Sequence, residues 1–202
     1  MRMPARFAAT IMASLVSLAW CSPALGQWAV TGEVGSDRFW GGSVESAAEH
    51  RSFRPYRPTT FGIGLERQSA GLGVGIRFRY ASAGLALEGP RAVVALKGIF
   101  RMYSVAPEIS HRLRRFGSGN ELLVQGGPLL EVWSVRSEHS QTRIGLHAAL
   151  SLRVPLVARL AGSFTAGAAV TPSPFATDQL DEGFERSALW RRRLAAGLEY
   201  RW

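Results

Sequence analysis

The segment TFGIGLERQSAGLGVGIRFRY, residues 60–80, changes character at every second position. Phe61, Ile63 and Leu65 alternate with Gly62, Gly64 and Glu66. After a short interruption, Leu72, Val74, Ile76, Phe78 and Tyr80 alternate with Gly73, Gly75, Arg77 and Arg79. A period of two marks a β-strand with unlike faces, because successive side chains point to opposite sides. The interruption, Gln68-Ser-Ala-Gly71, has the length of a hairpin connection. With Gln68 opposite Gly71, Leu65 faces Val74, Ile63 faces Ile76 and Gly62 faces Arg77. Both apolar rows then share one side of the ribbon, whereas a one-residue slip would set each against the wrong face.

The same alternation recurs in eight runs, roughly Trp28–Phe39, Thr59–Gln68, Gly71–Ala83, Val93–Leu113, Glu121–Val135, Thr142–Val154, Val157–Thr171 and Ser187–Trp202. In the fourth, the apolar row changes sides near Phe100–Tyr103, and Pro107 points to a bulge. After a long first connection, Trp40 to Pro58, the links at Ser69-Ala70, Arg114–Asn120 and near Pro155 are short. Those at Ser82–Ala92, Arg136–Gln141 and Pro172–Arg186 are longer or more polar. An even number of antiparallel strands with short turns at one end and longer loops at the other describes an outer-membrane barrel. A soluble sandwich also alternates, but it turns its apolar row inward and its charges outward. Here small residues with isolated charges of both signs make up the non-apolar rows, which suits a narrow lumen better than a solvated face. The expected fold is an all-β, eight-stranded antiparallel up-and-down transmembrane β-barrel.

The chain begins MRMPARFAATIMASLVSLAWCSPALG, with Arg2 and Arg6, an apolar run from Phe7 to Trp20 and small residues after it. These are the three regions of a secretory signal, so residues 1–26 are expected to be removed and residues 27–202 to form the barrel domain. The bulky Trp20 is wrong for a lipoprotein site at Cys21, and the apolar run is short for a membrane anchor. Cys21 is the only cysteine, so the mature chain would carry neither disulfide nor thiol. Without Arg2 and Arg6 it keeps 22 basic residues against 15 acidic ones, all the bases but Lys97 being arginine. For an exported chain, lipid head groups and phosphorylated glycolipid fit better as counterparts than nucleic acid, and guanidinium forks bind phosphate well.

The end of the chain, AAGLEYRW at residues 195–202, places Trp190, Leu194, Ala196, Leu198, Tyr200 and Trp202 in one row. On a lipid-facing strand, Tyr200 and Trp202 would sit at the membrane–water boundary, where amphipathic aromatics are favoured. The pattern Gly197-x-x-Tyr200-x-Trp202 resembles the C-terminal signal by which the outer-membrane assembly machinery recognises bacterial β-barrels. Ala195 departs from the polar residue usual there. With the leader and the eight strands, the chain resembles the small OmpA/OmpW-like family of outer-membrane β-barrel proteins. That resemblance implies the bacterial outer membrane as location, membrane lipid and lipopolysaccharide as surroundings, the assembly machinery as partner and a monomeric state. It assigns no chemistry.

The inward rows carry Glu33, Glu66, Arg77, Arg79, Glu108, Arg112, Gln125, Glu131, His147, Arg153, Arg193, Glu199 and Arg201. An eight-stranded barrel is just wide enough for side chains to fill, and unpaired buried ions cost several kcal/mol. A plugging salt-bridge network is therefore expected, with a narrow polar pathway for small solutes as the alternative. A lipid A-modifying enzyme would need a nucleophilic Ser within reach of an oriented His. Ser110 and His111 are adjacent on a strand and so face opposite ways. Glu138-His139-Ser140 lies in a loop and does not match the His-x-Ser spacing of the lipid A deacylase family. His50, His139 and His147 are scattered and make no metal site, and no phosphate-binding glycine pattern is present. No catalytic residue, metal or cofactor is expected. In the first loop, His50, Arg51, Arg54, Tyr56 and Arg57 form a basic-aromatic cluster suited to phosphate-rich lipopolysaccharide. The function expected is a non-enzymatic barrel with a structural or surface-interaction role.

Overall fold

The computed structural model describes residues 26–45, 52–88, 93–135, 140–173 and 184–202. The expected leader, His50, Arg51, Glu138 and His139 lie outside these residues. Eight strands follow one another: β1 (Gln27–Glu45), β2 (Ser52–Ser69), β3 (Leu72–Glu88), β4 (Val93–Phe116), β5 (Asn120–Val135), β6 (Gln141–Val157), β7 (Leu160–Thr171) and β8 (Phe184–Arg201). Each pairs antiparallel with the next, and β8 returns to pair with β1, closing a barrel.

The ladder fixes the stagger of that closure. Stepping across it from Trp28 leads through Arg67, Val74, Ile109, Gly126, Ala148, Ala168 and Arg192. Arg192 pairs back to β1 at Arg38, ten residues beyond the start. For eight strands this shear tilts them by roughly 40° and leaves an interior that side chains fill.

Parity decides what fills it. Leu194 is 69% exposed and Ile144 65%, whereas Arg193, next to Leu194, is 6% exposed. Phe61, Ile63, Leu65, Phe78, Leu146, Leu150, Phe164 and Leu198 share the exposed row, and the charged partners of these runs turn inward. A soluble fold would invert this arrangement; an apolar exterior around a polar interior is that of a barrel in lipid. Aromatic side chains edge the apolar belt at both ends. Trp28, Tyr200 and Trp202 stand at the short-turn end, where Trp28 and Trp202 exchange backbone hydrogen bonds of 3.3 and 3.0 Å. Trp40, Trp190, Tyr80 and Tyr103 stand at the long-loop end, as two ring pairs 6.5 and 5.2 Å apart.

Three sequence expectations are corrected. The first hairpin turns at Ala70-Gly71, not at Ser69-Ala70, so Gln68 pairs with Gly73, Leu65 with Ile76, Ile63 with Phe78 and Gly62 with Arg79. Ala70 and Gly71 have φ of 50° and 87°, as a two-residue turn matched to strand twist requires. This two-residue offset leaves every side chain on its expected face. Pro107 marks no bulge: Val105 pairs with Leu130 and Ile109 with Gly126, so the register runs unbroken past it. Pro107 and Pro128 stand opposite each other, and a missing N–H on each side removes bonds without demanding an extra residue. The irregularities of β4 lie instead opposite Ala83 to Leu85 and between Arg112 and Arg114. The first connection is shorter than Trp40 to Pro58, because β1 continues to Glu45 and β2 starts at Ser52. At 12 to 24 residues, the strands exceed the roughly 9–11 needed to cross a bilayer.

Ile76→Arg is expected to cost roughly 2–4 kcal/mol in lipid vesicles, measured by urea unfolding, because it sets a charge in the apolar belt. A nitroxide at position 194 should collide with oxygen dissolved in lipid and not with a water-soluble relaxant; shielding from both would show a protein-covered face.

Candidate functional site

Among the described residues, three groups of side chains stacked along the barrel axis occupy the lumen. At its centre Glu33 of β1 receives three arginines. Arg77 Nη1 donates at 2.8 Å, Arg193 Nη2 at 2.9 Å and Arg79 Nε at 3.3 Å. Arg77 also donates through Nε to Glu108 at 2.9 Å, so one guanidinium joins β1, β3 and β4. The backbone around Glu33 makes room for this. Its partners across both neighbouring ladders are glycines, Gly62 and Gly197. A Cβ on Gly62 would lie 2.5 Å from Glu33 Oε1, and one on Gly197 would lie 2.5 Å from the Gly32 oxygen and 2.9 Å from Ser163 Oγ.

Toward the short turns a second group forms around Arg153. It meets Glu199 at 2.7 Å, Glu121 at 3.4 Å and Glu66 at 3.6 Å. Arg201 bridges Glu199 at 2.6 Å and Glu121 at 3.3 Å, and Arg112 reaches Glu121 at 3.0 Å. Ser110 donates to Glu66, as does Gln68 at 2.9 Å. Arg112 and Arg201 stand at the mouth, part-exposed, while Arg153 is buried.

Toward the loops the third group is largely apolar. Phe39, Met102, Trp133 and Leu189 are each no more than 3% exposed. Phe39 meets Trp133 edge-on with ring centroids 5.7 Å apart. Within it Arg191 pairs with Glu131 at 2.7 Å and with Asp37 at 3.9 Å, and Trp133 Nε1 donates to the Glu131 carboxylate at 3.1 Å. Between this cap and the Glu33 node, Arg79, His147, Thr165, Arg191 and Arg193 line a cavity of about 20 Å³, room for a single water.

Every lumen residue expected from the sequence therefore faces the interior, Gln125 and His147 included. Three charged members went unassigned. Asp37 and Arg191 share parity with Glu33 and Arg193, so extending those rows by two steps and one step finds them. Glu121 opens β5 on the row of Gln125 and Glu131. Phe39, Met102, Leu129 and Trp133 share the parity of the inward rows, but as apolar side chains they carry no sign of a polar lumen.

Ser110 is buried against Glu66 and His111 is exposed on the lipid side, so the pair cannot act as nucleophile and base. Among the described residues no group of acids, histidines or cysteines is placed to hold a metal.

No family model and no curated protein matches this chain. Solved structures do match it over most of its length. Neisserial surface protein A superposes with a TM-score of 0.57 at 13% identity, covering 87% of this chain and 99% of that one. Ail of Yersinia pestis in a phospholipid nanodisc gives 0.46 at 15% identity, over 88% and 100%. The N-terminal β-barrel domain of Pseudomonas aeruginosa OprF gives 0.42 at 13% identity, over 87% and 100%. At this identity the likeness is one of fold: the chain has the fold of the small outer-membrane barrels.

Glu33→Gln is expected to lower the unfolding free energy in urea by roughly 3–5 kcal/mol, because it leaves three buried guanidiniums short of a carboxylate. Arg112→Gln, at the wet mouth, should cost under about 1 kcal/mol. Equal losses would show that burial does not set the energetics of the network.

Proposed function

We propose that this chain is a non-enzymatic integral outer-membrane barrel whose lumen is sealed, and whose role lies in its outer wall and in the loops it holds at the cell surface. The observation that carries the reading is the filled interior. An ionic plug at the turn end, the Glu33 node and an aromatic cap at the loop end leave no continuous passage among the described residues. A pore would need at least one of these three groups to move. The opposed orientations of Ser110 and His111 support a non-enzymatic reading.

The wall itself supports a monomeric barrel in contact with membrane lipid and lipopolysaccharide. All eight strands have both neighbours within one chain, and the apolar row continues around the ring. The assembly machinery is the partner implied by Gly197, Tyr200 and Trp202. Gly197 also has a local reason to be glycine, the crowding beside Glu33, while Tyr200 and Trp202 are exposed and stacked with centroids 6.2 Å apart.

In planar bilayers the purified barrel is expected to stay at baseline current. Steady, reproducible channels would overturn the sealed reading and favour the narrow pore. Deleting Tyr200–Trp202 should reduce heat-modifiable, membrane-embedded barrel far more than it changes export; equal amounts of embedded barrel would remove the assembly role.

A further inference from the structure

The outer wall carries one arrangement that the sealed-barrel reading leaves unexplained. Arg38 of β1 and Arg192 of β8 are directly opposed across the closing seam, and both are exposed on the lipid-facing row. Like charges directly opposite on neighbouring strands repel, whereas Arg77, Arg153, Arg191 and Arg193 each meet a buried carboxylate inside the lumen. Around this pair the described outward neighbours on β1, β7 and β8 are Ser36, Trp40, Trp190, Leu194 and Ala168, and none of these is acidic. In low-dielectric surroundings two adjacent cations without a counter-ion are costly. Among the described residues no carboxylate faces the pair, which leaves it open to an anion from outside the chain.

The height of the pair says where it is found. Arg38 stands ten residues above Trp28 on β1. At a rise of ~3.3 Å per residue and a tilt near 40°, that places it about 25 Å along the axis from the turn-end aromatics. An apolar band of about 25 Å is what such barrels present to lipid. The pair thus lies at the head-group plane of the loop end, and in barrels with short periplasmic turns that end faces the outer leaflet.

The local geometry fits a phosphate. Arg192 lies over the Trp40 ring with its guanidinium carbon 4.8 Å from the centroid. Trp40 in turn stacks on Trp190, their planes 10° apart. A guanidinium held by its face keeps its N–H edge free, and that edge matches a phosphate bidentately. Arg38, on the same ladder rung, supplies a second fork.

We propose that Arg38 and Arg192, on their Trp40–Trp190 platform, form a clamp for a phosphate of the outer-leaflet glycolipid, lipid A. This rests on the outer-membrane reading above and assigns that contact to the seam.

The test uses the purified, folded barrel in detergent micelles, checked for heat-modifiable migration. Native mass spectrometry compares retention of diphosphoryl lipid A, enzymatically dephosphorylated lipid A and phosphatidylglycerol. The wild-type barrel should retain diphosphoryl lipid A about tenfold better than the dephosphorylated form. The double variant Arg38→Gln/Arg192→Gln should lose that preference. Arg101→Gln, exposed on β4 across the barrel, should keep it. An undiminished preference in the double variant overturns the clamp, and so does equal loss with Arg101→Gln. Equal retention of phosphatidylglycerol overturns the assignment to glycolipid. None of these failures touches the sealed-barrel reading, which the conductance measurement decides separately.

Discussion

Glu33 is the residue on which the interior of this barrel turns. It reaches guanidiniums from β3 and β8, and one of them passes the link on to β4. Buried ion pairs of this kind are poor sources of net stability, because desolvation offsets most of the attraction. Their value here lies in discrimination. A strand that slides by two residues keeps every apolar side chain on the lipid side, so the hydrophobic effect does not oppose the slip. The same slip carries Glu33 out of its place between Gly62 and Gly197 and away from all three arginines. The charges read what the apolar rows cannot.

That division of labour explains which parts of the structure were legible in the sequence. The faces were legible, because a period of two is visible in any single strand: Ile76 and Arg77 are adjacent and unmistakable. The register was not, and the first hairpin shows why. Pairing Leu65 with Val74 or with Ile76 satisfies the same alternation, and the choice belongs to a turn in which Ala70 and Gly71 both take positive φ. Pro107 misled for a related reason. A proline inside a strand reads as a defect, yet here it meets Pro128 across the ladder and the defect is shared.

The lumen was legible as a set of charges but not as a set of partners. Arg153 and Glu199 are 46 residues apart in the chain and meet because the shear of the whole ring brings them to one height. No local pattern encodes that height. The apolar cap was hidden for a different reason: Trp133 and Met102 continue the inward rows of Glu131 and Glu108, but an apolar side chain carries no mark of a polar lumen. The two ends of the lumen consequently differ in character. The turn end is a set of ion pairs open to water at Arg112 and Arg201, and the loop end is dry and aromatic.

The seam between β1 and β8 has a consequence for the order in which this molecule can come into being. Its backbone bonds join strands at opposite ends of the sequence, down to the mutual pair of Trp28 and Trp202. A sheet that lacks β8 has two raw edges, and in lipid an unpaired edge is intolerable. No partial barrel made from the first seven strands can therefore rest in the membrane as a stable stage. Insertion has to wait for the whole polypeptide and then proceed as a single act of closure. Once closed, the ring has no topological beginning: cutting it at Ala158-Arg159 and joining the two chain ends through a short linker would leave the same hoop of hydrogen bonds, opened at a different turn.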